Sequence, residues 1–393
     1  MIRGLVLLSA MVALACGSDK TVTQPPNAQG SLATIGEGIV NERYTGEVNV
    51  RGNVAYTTTW GPRDAFGNAV KIWDVSGNTP QLVDSLIVPF ASTLGDVQVT
   101  DDGQLLVVAT ERSGGSIMIY SLSDPSKPQL ITRYTTALTD PGVHTAEVQR
   151  VNGKLYAFLC IDPASGIPAR LVIVDLSNPA APQQVFTAAM GSPYVHDVYV
   201  RDGILITALW DNGITLWDIG GGGHGGTVSN PVQLGNVFTV GGEAHNVWWF
   251  HNANGEKKYA FVGEEGPGSI GFSASGDIHV VDVSNLSAPH EVAFYHLDGA
   301  GTHNFSVDET RGILYAAYYN GGVRAIDVRG DLSACSGGEK SLDGRCDLGK
   351  MGRELASGPT GVSPVYIWGV QLVGGFVYAS DMLNGIWKLG QVP

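Results

Sequence analysis

Along most of the chain, apolar residues occupy alternate positions, and clusters of polar turn residues interrupt them. The stretch Val195–Ile219 shows the unit. Val198 and Val200, then Ile204, Ile206 and Ala208, repeat with a period of two, as on a pleated strand. Asp211-Asn212-Gly213 supplies the positive φ that a tight hairpin needs, and Ile214, Leu216 and Ile219 resume the strand. This pattern recurs seven times. Its anchor is an apolar strand ending in Asp-Val or an equivalent pair, at Asp74-Val75, Ser121-Leu122, Asp175-Leu176, Asp218-Ile219, Asp282-Val283, Asp327-Val328 and Lys388-Leu389. Successive anchors lie 43 to 64 residues apart. Repeats of blade size predict an all-β chain, a single seven-bladed β-propeller of four-stranded antiparallel blades. The longer intervals carry insertions at Gly220–Gly226, Gly263–Gly276 and Cys335–Cys346.

Several copies continue into a Pro-rich turn, Ser123–Pro128, Ser177–Pro182 and Ser284–Pro289, and then into an outer strand such as Gln129–Tyr134 or Glu291–His296. Four strands, A to D from the axis outward, complete a blade. The seventh copy has no outer strand after its third. The segment Ile39–Tyr44 is the candidate to supply it and close the circle, which removes an unpaired edge.

The segment Leu171–Pro182, LVIVDLSNPAAP, resembles the LVIVD-repeat family of bacterial cell-surface proteins, and the resemblance extends over about Gly46–Leu389. It implies a β-propeller at the cell envelope and brings no biochemical activity with it.

The N-terminus reads differently. Arg3, the apolar run Leu5–Leu14 and the small-residue site Ala13-Leu14-Ala15-Cys16 form a signal peptide over residues 1–15, too short to span a bilayer. The Cys following a small residue resembles a bacterial lipoprotein signal, which implies lipid on Cys16. A plain secretory signal with an incidental Cys is the alternative. Residues 16–30 then form a polar tether, residues 31–393 the propeller, and the protein sits in the bacterial envelope, at the outer membrane, with the membrane as its first partner. The formal charge of −14, without basic clusters, argues against nucleic acid and anionic lipid headgroups as partners. Cys335 and Cys346 bracket a polar loop in an exported chain and are expected to form a disulfide. Cys160 reads as a buried thiol.

The start of strand A carries His in four consecutive copies: His144, His196, His245 and His303. The ends of strand B, on the same face, offer Asp211, Glu264, Glu265, Asn320 and Asp381, with Trp210 and Trp368 nearby. Two readings compete. Each imidazole braces its own blade, bonding backbone groups or the adjacent Asp or Asn; or the four converge on one divalent transition metal, with the acids orienting them. Trp73, Trp217 and Trp387 recur on strand C and read as inter-blade core. No GxSxG elbow, P-loop or EF-hand pattern is present. The functional expectation is a lipid-anchored envelope scaffold that recruits a protein or glycan through its histidine face. The alternative is a metal-dependent enzyme, of oxidase or lyase type.

Overall fold

The computed structural model describes residues 30–266, 268–362 and 364–393. The signal segment, Cys16 and the tether up to residue 29 lie outside the described residues. Seven four-stranded antiparallel sheets follow one another in chain order, and among the described residues there is no α-helix. Blade 1 comprises Tyr44–Arg51, Val54–Trp60, Ala69–Asp74 and Gln81–Ile87. Blade 4, the unit from which the pattern was read, comprises Asp197–Arg201, Ile204–Ala208, Ile214–Asp218 and Val232–Val237. Alternate residues of each strand face the neighbouring blades, so the core is a series of apolar layers between adjacent sheets. Trp73 and Trp387 lie in these layers, 1% and 2% exposed. Each also donates its indole N–H to a strand B side chain, Thr57 Oγ1 and Asp381 Oδ2.

An N-terminal strand closes the circle. It is Thr34–Ile39, paired antiparallel with Gly385–Gly390 of blade 7, rather than Ile39–Tyr44, and Tyr44 already opens blade 1. The cause is steric. A Cβ at Gly36 would stand 2.4 Å from the Asn78 carbonyl oxygen, and one at Gly38 would stand 2.6 Å from the Trp73 ring. The strand is therefore written in alternating glycines, whereas Ile39 is 59% exposed.

Two insertions are built more tightly than their composition suggests. Gly220–Gly226 wraps around Asp218, whose carboxylate accepts backbone N–H bonds from Gly220, Gly221, Gly222, His224 and Gly226 at 2.7–3.2 Å. Cys335 and Cys346 are disulfide-bonded, and Cys346–Asp347 adds a short parallel strand to the outer edge of blade 5, beside Ala293 and Phe294. The loop is thus part of the sheet rather than an appendage. It also displaces the outer strand of blade 6 to Glu354–Gly358.

Candidate metal centre at the channel mouth

The pairing of strands A and B gives every blade a common origin. Val48, Val97, Val148, Val198, Val247, Phe305 and Val370 lie opposite Thr57, Val108, Ala157, Thr207, Val262, Ala316 and Ala379. Two residues before the strand A member stand Gly46, Gly95, Ala146, His196, His245, His303 and Trp368. Blades 4, 5 and 6 thus place His at equivalent points. His144 comes from two residues farther up, because the A–B hairpin of blade 3 is longer, with strands Val143–Val151 and Lys154–Ile161.

Three residues beyond the strand B member stand Trp60, Glu111, Cys160, Trp210, Glu265, Tyr319 and Met382. In the long hairpin Asp162, two residues later still, takes the place of Cys160. Of these, Glu111, Trp210, Glu265 and Tyr319, together with Asp162, meet the histidines. Asp211 and Asn320 follow Trp210 and Tyr319 by one position, and those aromatic residues hold the left-handed backbone, at φ 53° and 41°. Asp211 lies exposed in the turn. Asn320 bonds Ser273 and the Gly299 carbonyl. Asp381 is buried and accepts from the Tyr366 and Leu383 amides, so it serves blade 7 and not the mouth. Glu264 turns outward to His279 and the Asp277 amide. Strain of this kind in bulky residues clusters where a side chain must be held in place. Trp210 stacks on His196 at 5.2 Å between centroids, and Tyr319 meets His303 edge-on at 5.3 Å.

The four imidazoles form an arc. Centroids of His144 and His196 are 4.2 Å apart, those of His196 and His245 4.0 Å, and those of His245 and His303 4.0 Å. Trp368 closes the far end, 4.4 Å from His303. At the near end His144 Nε2 lies 2.9 Å from His196 Nε2, and its Nδ1 faces Glu111 and Asp162 at 3.5 and 3.7 Å. Glu265 reaches across to His196 Nε2 at 3.8 Å and is held from behind by the Tyr319 hydroxyl. Among the described residues, His196, His245 and Glu265 form the group whose ligand atoms all lie within 4.8 Å of one another.

The electrostatics divide the arc. Burial, then the neighbouring imidazoles, hold His196 and His245 well below the ordinary histidine pKa, and His303 behaves alike. All three are neutral near pH 7. Burial also acts on His144, but Glu111, Asp162 and more distant acids outweigh it and raise its pKa. Burial pushes Glu111 up to about 6 and raises Glu265. Neither ring nitrogen of His245 makes a hydrogen bond, nor does Nδ1 of His196 or of His303. Asn246 nudges His245 toward higher basicity without a bond of normal geometry.

Behind the arc a channel cavity of about 460 Å³ runs toward the opposite face, and Glu47, Asp96, Glu147 and Asp197 line its upper part. Each directly precedes its blade's strand A reference residue, with Asn246, Asn304 and Gly369 completing the tier. Burial raises the pKa of all four acids, that of Asp197 to about 8. Sequence reasoning singled out the histidines, and the Asp or Asn beside them as partners of a brace, but passed over Glu111, Asp162, Tyr319 and the acids Glu47, Asp96 and Glu147. The signal for the tier was present: an acid or amide directly after Gly46, Gly95, His196, His245 and His303.

The LVIVD repeat matches this chain at residues 112–136, 168–189 and 272–296. These segments cover the outer strands of blades 2, 3 and 5. No curated protein matches the sequence. Among solved structures, the crystal structure of RRP9 WD40 repeats is similar at 11% identity and a TM-score of 0.63, over 92% of this chain and 98% of that one. The structure of U3-55K is similar at 12% identity and a TM-score of 0.61, over 90% and 97%. The computationally designed Ika8 protein is similar at 8% identity and a TM-score of 0.56, over 91% and 100%. At such identities the likeness concerns the fold alone. The chain is a seven-bladed β-propeller that carries LVIVD repeats.

Proposed function

We propose that this is a cell-envelope protein, lipid-anchored through Cys16, that binds one divalent transition metal at the channel mouth through His196, His245 and Glu265. The observation that carries the reading is His245. It is 2% exposed, and neither of its ring nitrogens makes a hydrogen bond of normal geometry. A brace would spend those nitrogens on backbone or side-chain bonds; a ligand keeps one free. The protonation states agree, since a metal takes the neutral imidazole. So does the geometry. Metal–nitrogen bonds of about 2.0–2.1 Å set neighbouring ligand atoms roughly 3.0–3.4 Å apart, so side-chain adjustments of about 1 Å close the set. Two histidines and a carboxylate suit iron, manganese or zinc and leave further coordination positions open.

His303 and His144 flank this group as additional donors. The metal would order a mouth that recruits an envelope protein or glycan. One observation favours the enzymatic alternative: His144, backed by Glu111 and Asp162, places a proton donor beside the open positions. Thermal melts with metal and with chelator test the binding claim. Metal at 100 times its Kd stabilises a one-site protein by about 2.7 kcal/mol. The wild type should show that shift, and His245→Ala and Glu265→Gln should lose it. A wild type indifferent to iron, manganese, zinc and copper would end the metal reading.

A further inference from the structure

Most of the exposed large apolar side chains gather toward one face. By the antiparallel order of the blades, the B–C turns and the D–A connections all emerge on the face that carries the histidines. Phe66 and Phe272 sit in B–C turns of blades 1 and 5, and Ile167 in that of blade 3. Phe90, Phe238 and Val362 sit in connections between blades. All six are exposed, the four phenylalanines by 60% or more. Phe90, 81% exposed, is held outward by a backbone at φ 74°, a conformation that costs a bulky residue free energy. The opposite face is made of Gly-containing and Pro-rich turns. Toward it, Leu342 at the disulfide loop is exposed, as are Leu82, Val83 and Leu130 where outer strands begin, but among the described residues no phenylalanine stands exposed there.

We propose that the mouth face is a membrane-docking face, whose phenylalanine-tipped loops enter the interface of a zwitterionic phospholipid layer and set the histidine mouth against it. Three features select lipid over a protein partner. The apolar tips are single side chains spread around the whole circumference, which matches an extended plane and not a compact patch. Their neighbours carry both signs, Arg63 and Asp64 beside Phe66, as the headgroup region of such a layer accepts. The described chain begins at Gly30 on the outer edge of the circle, where Ser31 bridges Ser357. The residues between Cys16 and Gly30, at up to about 3.3 Å each, reach far enough to bring this face onto the layer. The proposal rests on the anchor reading for delivery and is independent of the metal.

The test uses the mature protein on phosphatidylcholine vesicles that carry a shallow nitroxide-labelled lipid, with tryptophan fluorescence as the readout. Trp60, Trp210 and Trp368 report from the mouth. The wild type should be quenched, and the combined Phe66→Ser, Phe90→Ser, Phe238→Ser and Phe272→Ser variant at least threefold less, while Leu342→Ser keeps wild-type quenching. Circular dichroism and melting of the combined variant check that it is folded. Equal quenching of wild type and combined variant overturns the proposal. So does a lipid-free wild type that dimerises when the combined variant does not, since the face then serves a second copy. Mass analysis of the N-terminal peptide reads lipidation separately, so failure of the anchor is not confused with failure of the face.

Discussion

Replacing His245 with Phe should make the metal-free protein more stable. The imidazole is buried between His196 and His303, with centroids 4.0 Å away on either side. A phenyl ring keeps those contacts and removes one donor and one acceptor. Each buried group without a partner costs about 1–3 kcal/mol. The phenyl is slightly larger, and overpacking costs roughly 1–3 kcal/mol where the surroundings cannot yield. Here the cavity behind the arc gives room, so the net expectation is a gain of about 1–3 kcal/mol, after the orphaned polar groups and the packing strain are set against each other. Urea unfolding in the presence of chelator reads this directly, provided the slope is unchanged. Adding metal should then reverse the order, because the wild type gains binding energy and the variant does not. A His245→Phe protein that is less stable than wild type by 1 kcal/mol or more in chelator, at equal slope, would refute the reasoning. It would show that the imidazole is a satisfied brace. The logic is that of a site which gives up stability for function.

Three further expectations follow from the scaffold. Asp218→Asn leaves an amide facing N–H donors where a carboxylate oxygen accepted from His224 and Gly226, and should cost about 2–4 kcal/mol in unfolding free energy, with new proteolytic cleavage inside Gly220–Gly226. Gly38→Ala drives a Cβ into Trp73 at the closing strand and should cost about 1–3 kcal/mol, whereas Ala at the exposed Gly374 turn should instead report only its left-handed backbone. His279 is fully buried between Glu264 and Glu291, and these partners outweigh burial and raise its pKa to about 9. Its contribution is therefore complete below pH 6.5, the unfolded value, and is lost as pH rises through about 9. Denaturation between pH 6 and 9.5 should show that loss in the wild type and a flatter profile in His279→Gln.

The fold was legible because a period of two, repeated seven times and punctuated by turns, admits few architectures. What escaped the pattern has physical causes. The closing strand uses Gly36 and Gly38 where other strands use valine, because it lies against the backbone at Asn78 and the Trp73 ring, so an apolar count slides past it to Ile39–Tyr44. The strand B ends were read one residue long at Asp211 and Asn320 and one residue short at Asp381. Turn chemistry favours Asp and Asn there, while the structure puts Trp210 and Tyr319 in the left-handed conformation and turns them toward the histidines. His196, His245 and His303 were visible as a set because their blades share one register. His144 joins them only because its hairpin is two residues longer, a difference that pairing reveals and spacing conceals. Glu265 was read as an orienting acid. Its approach to His196, with Tyr319 behind it, depends on three blades meeting at the axis.

The central claim is that the mouth holds a metal, and an anomalous difference map locates it most directly. Crystals grown with excess divalent iron, manganese or zinc, and measured on either side of the absorption edge, should show one peak in the channel mouth. It should lie about 2.0–2.2 Å from nitrogens of His196 and His245 and from an oxygen of Glu265. The Glu265→Gln protein should lose the peak. A map with no peak there, or with peaks only at surface carboxylates, would contradict the account and leave the four histidines as braces of their blades.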